Sequence, residues 1–137
     1  MEDGDSLHEM DDRYLLPYGR RAVTQVRVDH ALTLLLEGGA SVTIEAAAAL
    51  TTGPVDAGPV DVHELVPDRQ QVEPALALFG LHVSSAVAFR SGALLLEFDG
   101  GARLEVPSGG ACEAWNASGP GPILVVAQPG GGLAVWS

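Results

Sequence analysis

Apolar side chains recur at every second position in two separated stretches of the chain, and each reads as short strands with one buried face. In the first, Val26 and Val28 precede Leu32, Leu34 and Leu36, then Gly38-Gly39, then Val42 and Ile44. The second repeats the order as Val87 and Phe89, then Leu94, Leu96 and Phe98, then Gly100-Gly101, then Leu104 and Val106. Paired glycines reach positive φ without a steric penalty, so both Gly-Gly steps predict tight hairpins. The remaining turns fall at Asp29-His30 and Ser91-Gly92. Superposed at an offset of 61 to 62 residues, the stretches define a three-stranded antiparallel meander over residues 19–45 and again over 80–107.

Each meander has one apolar face that needs cover. The fold expected is therefore mostly β, with the two copies packed face to face as a small sandwich or joined as a barrel. Leu35 and Leu95 break the alternation at equivalent places and point away from the predicted core. They are candidate contacts in a homodimer.

Outside the repeat, the apolar strip Tyr14-Leu15-Leu16-Pro17-Tyr18-Gly19 marks where order is expected to begin. Residues 46–50 extend the third strand or form a turn of helix, and Thr51 to Pro67, interrupted by Pro54, Gly58 and Pro59, reads as a long loop of the kind that often carries function. Glu73-Pro74 through Phe79-Gly80 predicts one short helix, with proline at its first position and glycine after its last. Ile123–Ala127 and Leu133–Trp136, on either side of Pro129-Gly130-Gly131-Gly132, predict a C-terminal hairpin.

Charge narrows the function classes. The chain of 137 residues carries −11, has no lysine, and places six of its 18 acids within the first 13 residues. Those 13 residues read as a disordered acidic tail ahead of a single β domain over 14–137. Nucleic-acid binding needs clustered cations and is not expected; an acidic body prefers basic protein partners. Cys112 is the only cysteine, the N-terminus has no apolar signal, and no apolar run is long enough for a membrane helix, so a cytoplasmic protein without disulfides is expected.

Candidate chemistry is sparse. The histidines His30, His63 and His82 lack close metal-ligand spacing, so neither a metal nor another cofactor is expected. Asp61-Val62-His63-Glu64 is the densest polar group. In an extended segment Asp61 and His63 share one face and Glu64 takes the other. Cys112 has no local base, and no Gly-x-Ser-x-Gly elbow occurs. Trp115, preceded by Glu113-Ala114, and Trp136 offer the largest contact areas, either as core plugs or as the anchor of a binding site.

Leu16-Pro17-Tyr18-Gly19-Arg20, the doubled Leu-x-Leu unit ahead of glycine, Glu113-Ala114-Trp115 and the closing Pro129-Gly130-Gly131 to Ala134-Val135-Trp136 resemble a family of small actinobacterial domains of unknown function. The resemblance spans the chain after the acidic tail and implies no activity. The function expected from the residues is a non-enzymatic protein-binding module, of the immunity type that neutralises a basic partner, with Asp61, His63, Glu64, Glu113 and Trp115 as candidate binding residues. The alternative is a small-molecule-binding β domain, or an isomerase- or cyclase-like biosynthetic enzyme, with its pocket near the 51–67 loop.

Overall fold

The computed structural model describes residues 6–53, 60–110 and 113–137; Pro54, Gly58, Pro59 and Cys112 lie outside them. Among the described residues, thirteen strands form two antiparallel sheets. In chain order they are β1 (His8–Glu9), β2 (Arg13–Leu15), β3 (Val23–Val28), β4 (Leu32–Leu36), β5 (Ala40–Ile44), β6 (Ala48–Thr52) and β7 (Asp61–Leu65). There follow β8 (Val83–Phe89), β9 (Leu94–Phe98), β10 (Arg103–Val106), β11 (Trp115–Ser118), β12 (Leu124–Ala127) and β13 (Leu133–Trp136). One sheet runs β1-β2-β8-β9-β10-β6-β7 and the other β13-β12-β11-β5-β4-β3.

The first meander, β3-β4-β5, lies in the six-stranded sheet and the second, β8-β9-β10, in the seven-stranded one, so the copies face each other as a sandwich. Between them Leu32, Leu34, Val42, Ile44, Leu50, Leu94, Leu96 and Leu104 are buried almost completely in one shared core. Burying each such side chain contributes about 1.5–3 kcal/mol, and branched aliphatics outnumber the buried aromatics Tyr18, Phe98 and Trp115.

The repeat is larger than three strands. After β5 the chain crosses to the opposite sheet, where β6 pairs with β10 and then with β7. After β10 it crosses back, where β11 pairs with β5 and then with β12. Leu104 faces Leu50 as Val42 faces Ala117, so the two crossings share one register. Each copy thus contributes five strands and lends the last two to the other copy's sheet.

A pseudo-twofold axis passes between Ala22 and His82, which form an isolated bridge. Around it, Arg20 N donates to Val83 O and Gly80 N to Val23 O, while Val83 N donates to Arg21 O and Val23 N to Leu81 O. These reciprocal bonds place Val23 over Val83, an offset of 60. A bulge follows both valines, at Val23/Gln25 and Val83/Ser85. The second hairpin is longer, Ala88 facing Leu94 where Val28 faces Leu32, and restores the offset to 62.

That bulge corrects the expected inner face of β8. Ala86 and Ala88, not Val87 and Phe89, share the core-facing side with Leu96 and Leu94, and Val87 is buried outside the core cluster. A one-residue slip turns every side chain over. Phe89, turned outward, lies beneath the Arg13 guanidinium at 4.9 Å from the ring centroid.

Two expected irregular segments are strands. Within residues 1–13, read as a disordered tail, β1 pairs with β2 and β2 with β8. Arg90 holds this hairpin: its guanidinium donates to the Glu9 carboxylate, to the Met10 and Asp11 carbonyls and to the Tyr14 hydroxyl, and lies over the Tyr14 ring. Likewise Asp61–Leu65, read as loop, is the edge strand β7, because backbone pairing to β6 satisfies its polar groups at the sheet margin. The predicted helix is a 3-10 helix over Glu73–Leu78, begun by Pro74 and packed beside β3 and β7 with Ala75 and Leu78 buried.

Candidate functional site

Strand alternation separates most of the residues expected to form a site. On β7, Leu65 is buried and His63 half-buried on the inward face, whereas Val62 and Glu64 are exposed on the other. Asp61 is exposed at the strand's start. The outward groove beside β7 is lined by Ala47, Ala48, Ala49, Val62, Glu64 and Pro107, and neither His63 nor Trp115 enters it.

Trp115 is not an exposed anchor. It sits on the inward face of β11 with no solvent exposure, and its indole N–H donates to Gly92 O at 2.8 Å, from the turn after β8. Alternation along β11 turns it toward the core. Backbone also crowds Gly92: a Cβ there would meet Gly132 N at 3.0 Å, and its φ is +106°. Glu113 is exposed just ahead of the strand.

Leu35 and Leu95 do point outward, on opposite sheets. Leu35 pairs with Gln25 and Ser41 in the six-stranded sheet, and Leu95 with Val87 and Glu105 in the seven-stranded one. They lie on opposite sides of the sandwich and cannot share one flat contact.

The outer face around Leu35 is distinctive. One cross-strand row runs Leu35, Ser41, Ser118, Leu124, Trp136 from β4 to β13. The neighbouring row runs Thr33, Thr43, Asn116, Val126, Ala134, with Thr33 and Thr43 hydroxyls 3.3 Å apart. No acid stands in either row. β3 adds Gln25 and Arg27 at the margin. Trp136 is 55% exposed although Val135 beside it packs on the core, so the indole lies on the outer surface.

Among the described residues, three acids stand at one end of this face, and Glu37 stands beyond β4 at the other. Asp29 occupies the β3–β4 turn, and Glu45, whose N–H donates to Ala114 O, follows β5 beside Glu113. All three are exposed. The seven-stranded sheet differs: Glu105 and Glu64 flank Ala49 across its outer face, and Glu97 stands 3.8 Å from Arg103. Among the described residues the acids are therefore unevenly placed, and the outward rows that end at Ala134 and Trp136 hold none.

Composition marked Trp136 as a large contact area. What it could not show was that β12 and β13 would align Leu124 and Trp136 with Leu35. That alignment depends on the strand exchange that brings β11 next to β5.

Together these features define a two-sheet β-sandwich in which, among the described residues, one outer face carries no acid within its strands and is bordered by carboxylates. The chain belongs to the family of unknown function DUF6188, whose model matches residues 14–137. No curated protein and no solved structure matches it.

Proposed function

We propose that the chain is a non-enzymatic protein-binding module that docks a partner on the outer face of its six-stranded sheet. The partner has an apolar centre and a basic border. The observation that carries this reading is the row Leu35, Ser41, Ser118, Leu124, Trp136: an exposed indole and two leucines around small hydroxyls, with no carboxylate to desolvate. Hot spots favour such a centre, with tryptophan as anchor. Asp29, Glu45 and Glu113 supply the border, where acidic groups steer a basic partner and set the salt dependence of its arrival. An immunity-type role, in which a basic partner is neutralised by being covered, uses these same two elements.

The test is capture from native lysate with the wild type, Trp136→Asp and Leu95→Asp, the last altering the opposite face. A protein retained by the wild type and by Leu95→Asp, lost on Trp136→Asp and weakened by rising salt supports the reading. Retention by all three folded proteins, or no specific protein retained by the wild type at low salt, overturns it. So does light scattering that shows a wild-type dimer dissociated by Trp136→Asp, because the face is then occupied by a second copy.

A further inference from the structure

The two sides of the pseudo-twofold junction carry different side chains. Arg20 and Gly80 hold equivalent places, since Arg20 N donates to Val83 O at 2.7 Å and Gly80 N to Val23 O at 2.9 Å. Both have positive φ, 70° for Arg20 and 85° for Gly80. Glycine adopts that conformation freely, whereas an arginine there is strained. Strain kept at one copy and absent from the other calls for a reason in the side chain.

On the glycine side, the equivalent group is closed upon itself. Glu37 turns back so that Oε1 accepts from Ala22 N at 2.9 Å, and Arg21 covers the hairpin by donating to Glu37 O at 2.8 Å. On the arginine side, His82 replaces Ala22, Ser84 replaces Thr24 and Asp99 replaces Glu37. These residues and Arg20 line an open cleft of about 620 Å³. Backbone bonds fix its walls, Arg20 N to Val83 O and Asp99 N to His82 O. Asp99 Oδ2 lies 3.8 Å from His82 Nδ1, too far for a hydrogen bond but close enough to orient the ring. Among the described residues the Arg20 guanidinium has no hydrogen-bond or ion-pair partner.

We propose that this cleft binds the phosphate group of a small polar molecule. Arg20 presents a planar fork of donors suited to an oxyanion. His82 and Ser84 add donors from a second backbone segment, and three donor side chains match a phosphate monoester's three free oxygens better than a carboxylate's two. Asp99 turns the His82 ring and accepts a hydroxyl or amine from the rest of the ligand. The site lies at the junction of the repeats, away from the Trp136 face, and stands or falls independently of it.

The probe is inorganic phosphate, titrated into the full chain at constant ionic strength and followed by amide chemical shifts. Saturable shifts are expected around residues 19–22, 82–85 and 98–100, with sodium chloride giving none. Arg20→Gly installs the residue that the other copy uses, so the variant stays folded with Tm unchanged or raised, while phosphate affinity falls at least tenfold. His82→Ala weakens binding severalfold. Absence of saturable shifts in the wild type, equal shifts with chloride, or unchanged affinity in folded Arg20→Gly overturns the proposal. A lowered Tm in Arg20→Gly with unchanged affinity assigns Arg20 a structural role and overturns it equally.

Discussion

Two tryptophans in one chain meet opposite fates because of what lies beside them. Trp115→Phe keeps most of the apolar volume in the core but leaves Gly92 O without its indole donor. The expected loss is about 1–3 kcal/mol, read as a lower denaturant midpoint with an unchanged m-value. Gly92→Ala is expected to cost a similar amount, because its positive φ and the Gly132 backbone both resist a Cβ. Trp136→Ala, at an exposed site, is expected to change stability by less than about 0.5 kcal/mol. Tyr18 adds a pH dependence. Its ring is buried in the segment that passes between the sheets, and burial pushes its phenol well above the ordinary 10.0. The unfolded phenol therefore ionises first as pH rises, and stability should fall above about pH 10 by up to ~1.4 kcal/mol per pH unit. Alkaline denaturation of Tyr18→Phe should lack this component.

Among the elements, the hairpin β1–β2 depends on one side chain. Arg90→Ala removes the four guanidinium bonds that tie Arg90 to Glu9, Met10, Asp11 and Tyr14. Residues 6–12 are expected to lose hydrogen-exchange protection and become cleavable by protease while the β8–β9 core stays protected. The Asp12 carboxyl, held below its ordinary range by its hydrogen bond to Arg13, remains ionised to lower pH in the same hairpin. Period-two alternation made β4, β5, β9 and β10 legible in the sequence, along with the C-terminal hairpin. The bulges after Val23 and Val83 were not legible: one inserted residue leaves no mark in composition, yet it reverses the faces of Val87 and Ala88. β1 and β7 were hidden for a related reason. Charged residues and Pro-Gly punctuation look irregular until a partner, Arg90 in one case and β6 in the other, supplies their bonds.

For the whole molecule, the local pattern revealed two copies and left a sandwich or a barrel open; the strand exchange, which depends on contacts between residues far apart in sequence, left no mark in it. For the same reason the sequence does not show that Leu35 and Leu95, its candidate dimer contacts, lie on opposite sides. The Arg20 cleft was hidden likewise, since residue 20 meets residues 82–99 only at the pseudo-twofold junction. Core truncation should respect that symmetry. Leu34→Ala and Leu96→Ala remove equivalent side chains from facing sheets, and each is expected to cost about 2–5 kcal/mol. Thermal or urea unfolding would show one cooperative transition in both variants, because the two sheets share one core.

The exchange of β6 and β11 bears on how the chain can be made. During synthesis β6 emerges long before β10, the strand it must join, and β5 waits longer still for β11. The first half therefore leaves the ribosome with two unsatisfied margins, and nothing in its own sequence closes them. Expressed separately, residues 14–69 and 70–137 should each lack a stable fold by circular dichroism and regain the native spectrum on mixing. Duplication has thus produced a clasp whose halves each hold what the other lacks, so the nascent protein stays open, and exposed to proteases and aggregation, until its second half has arrived.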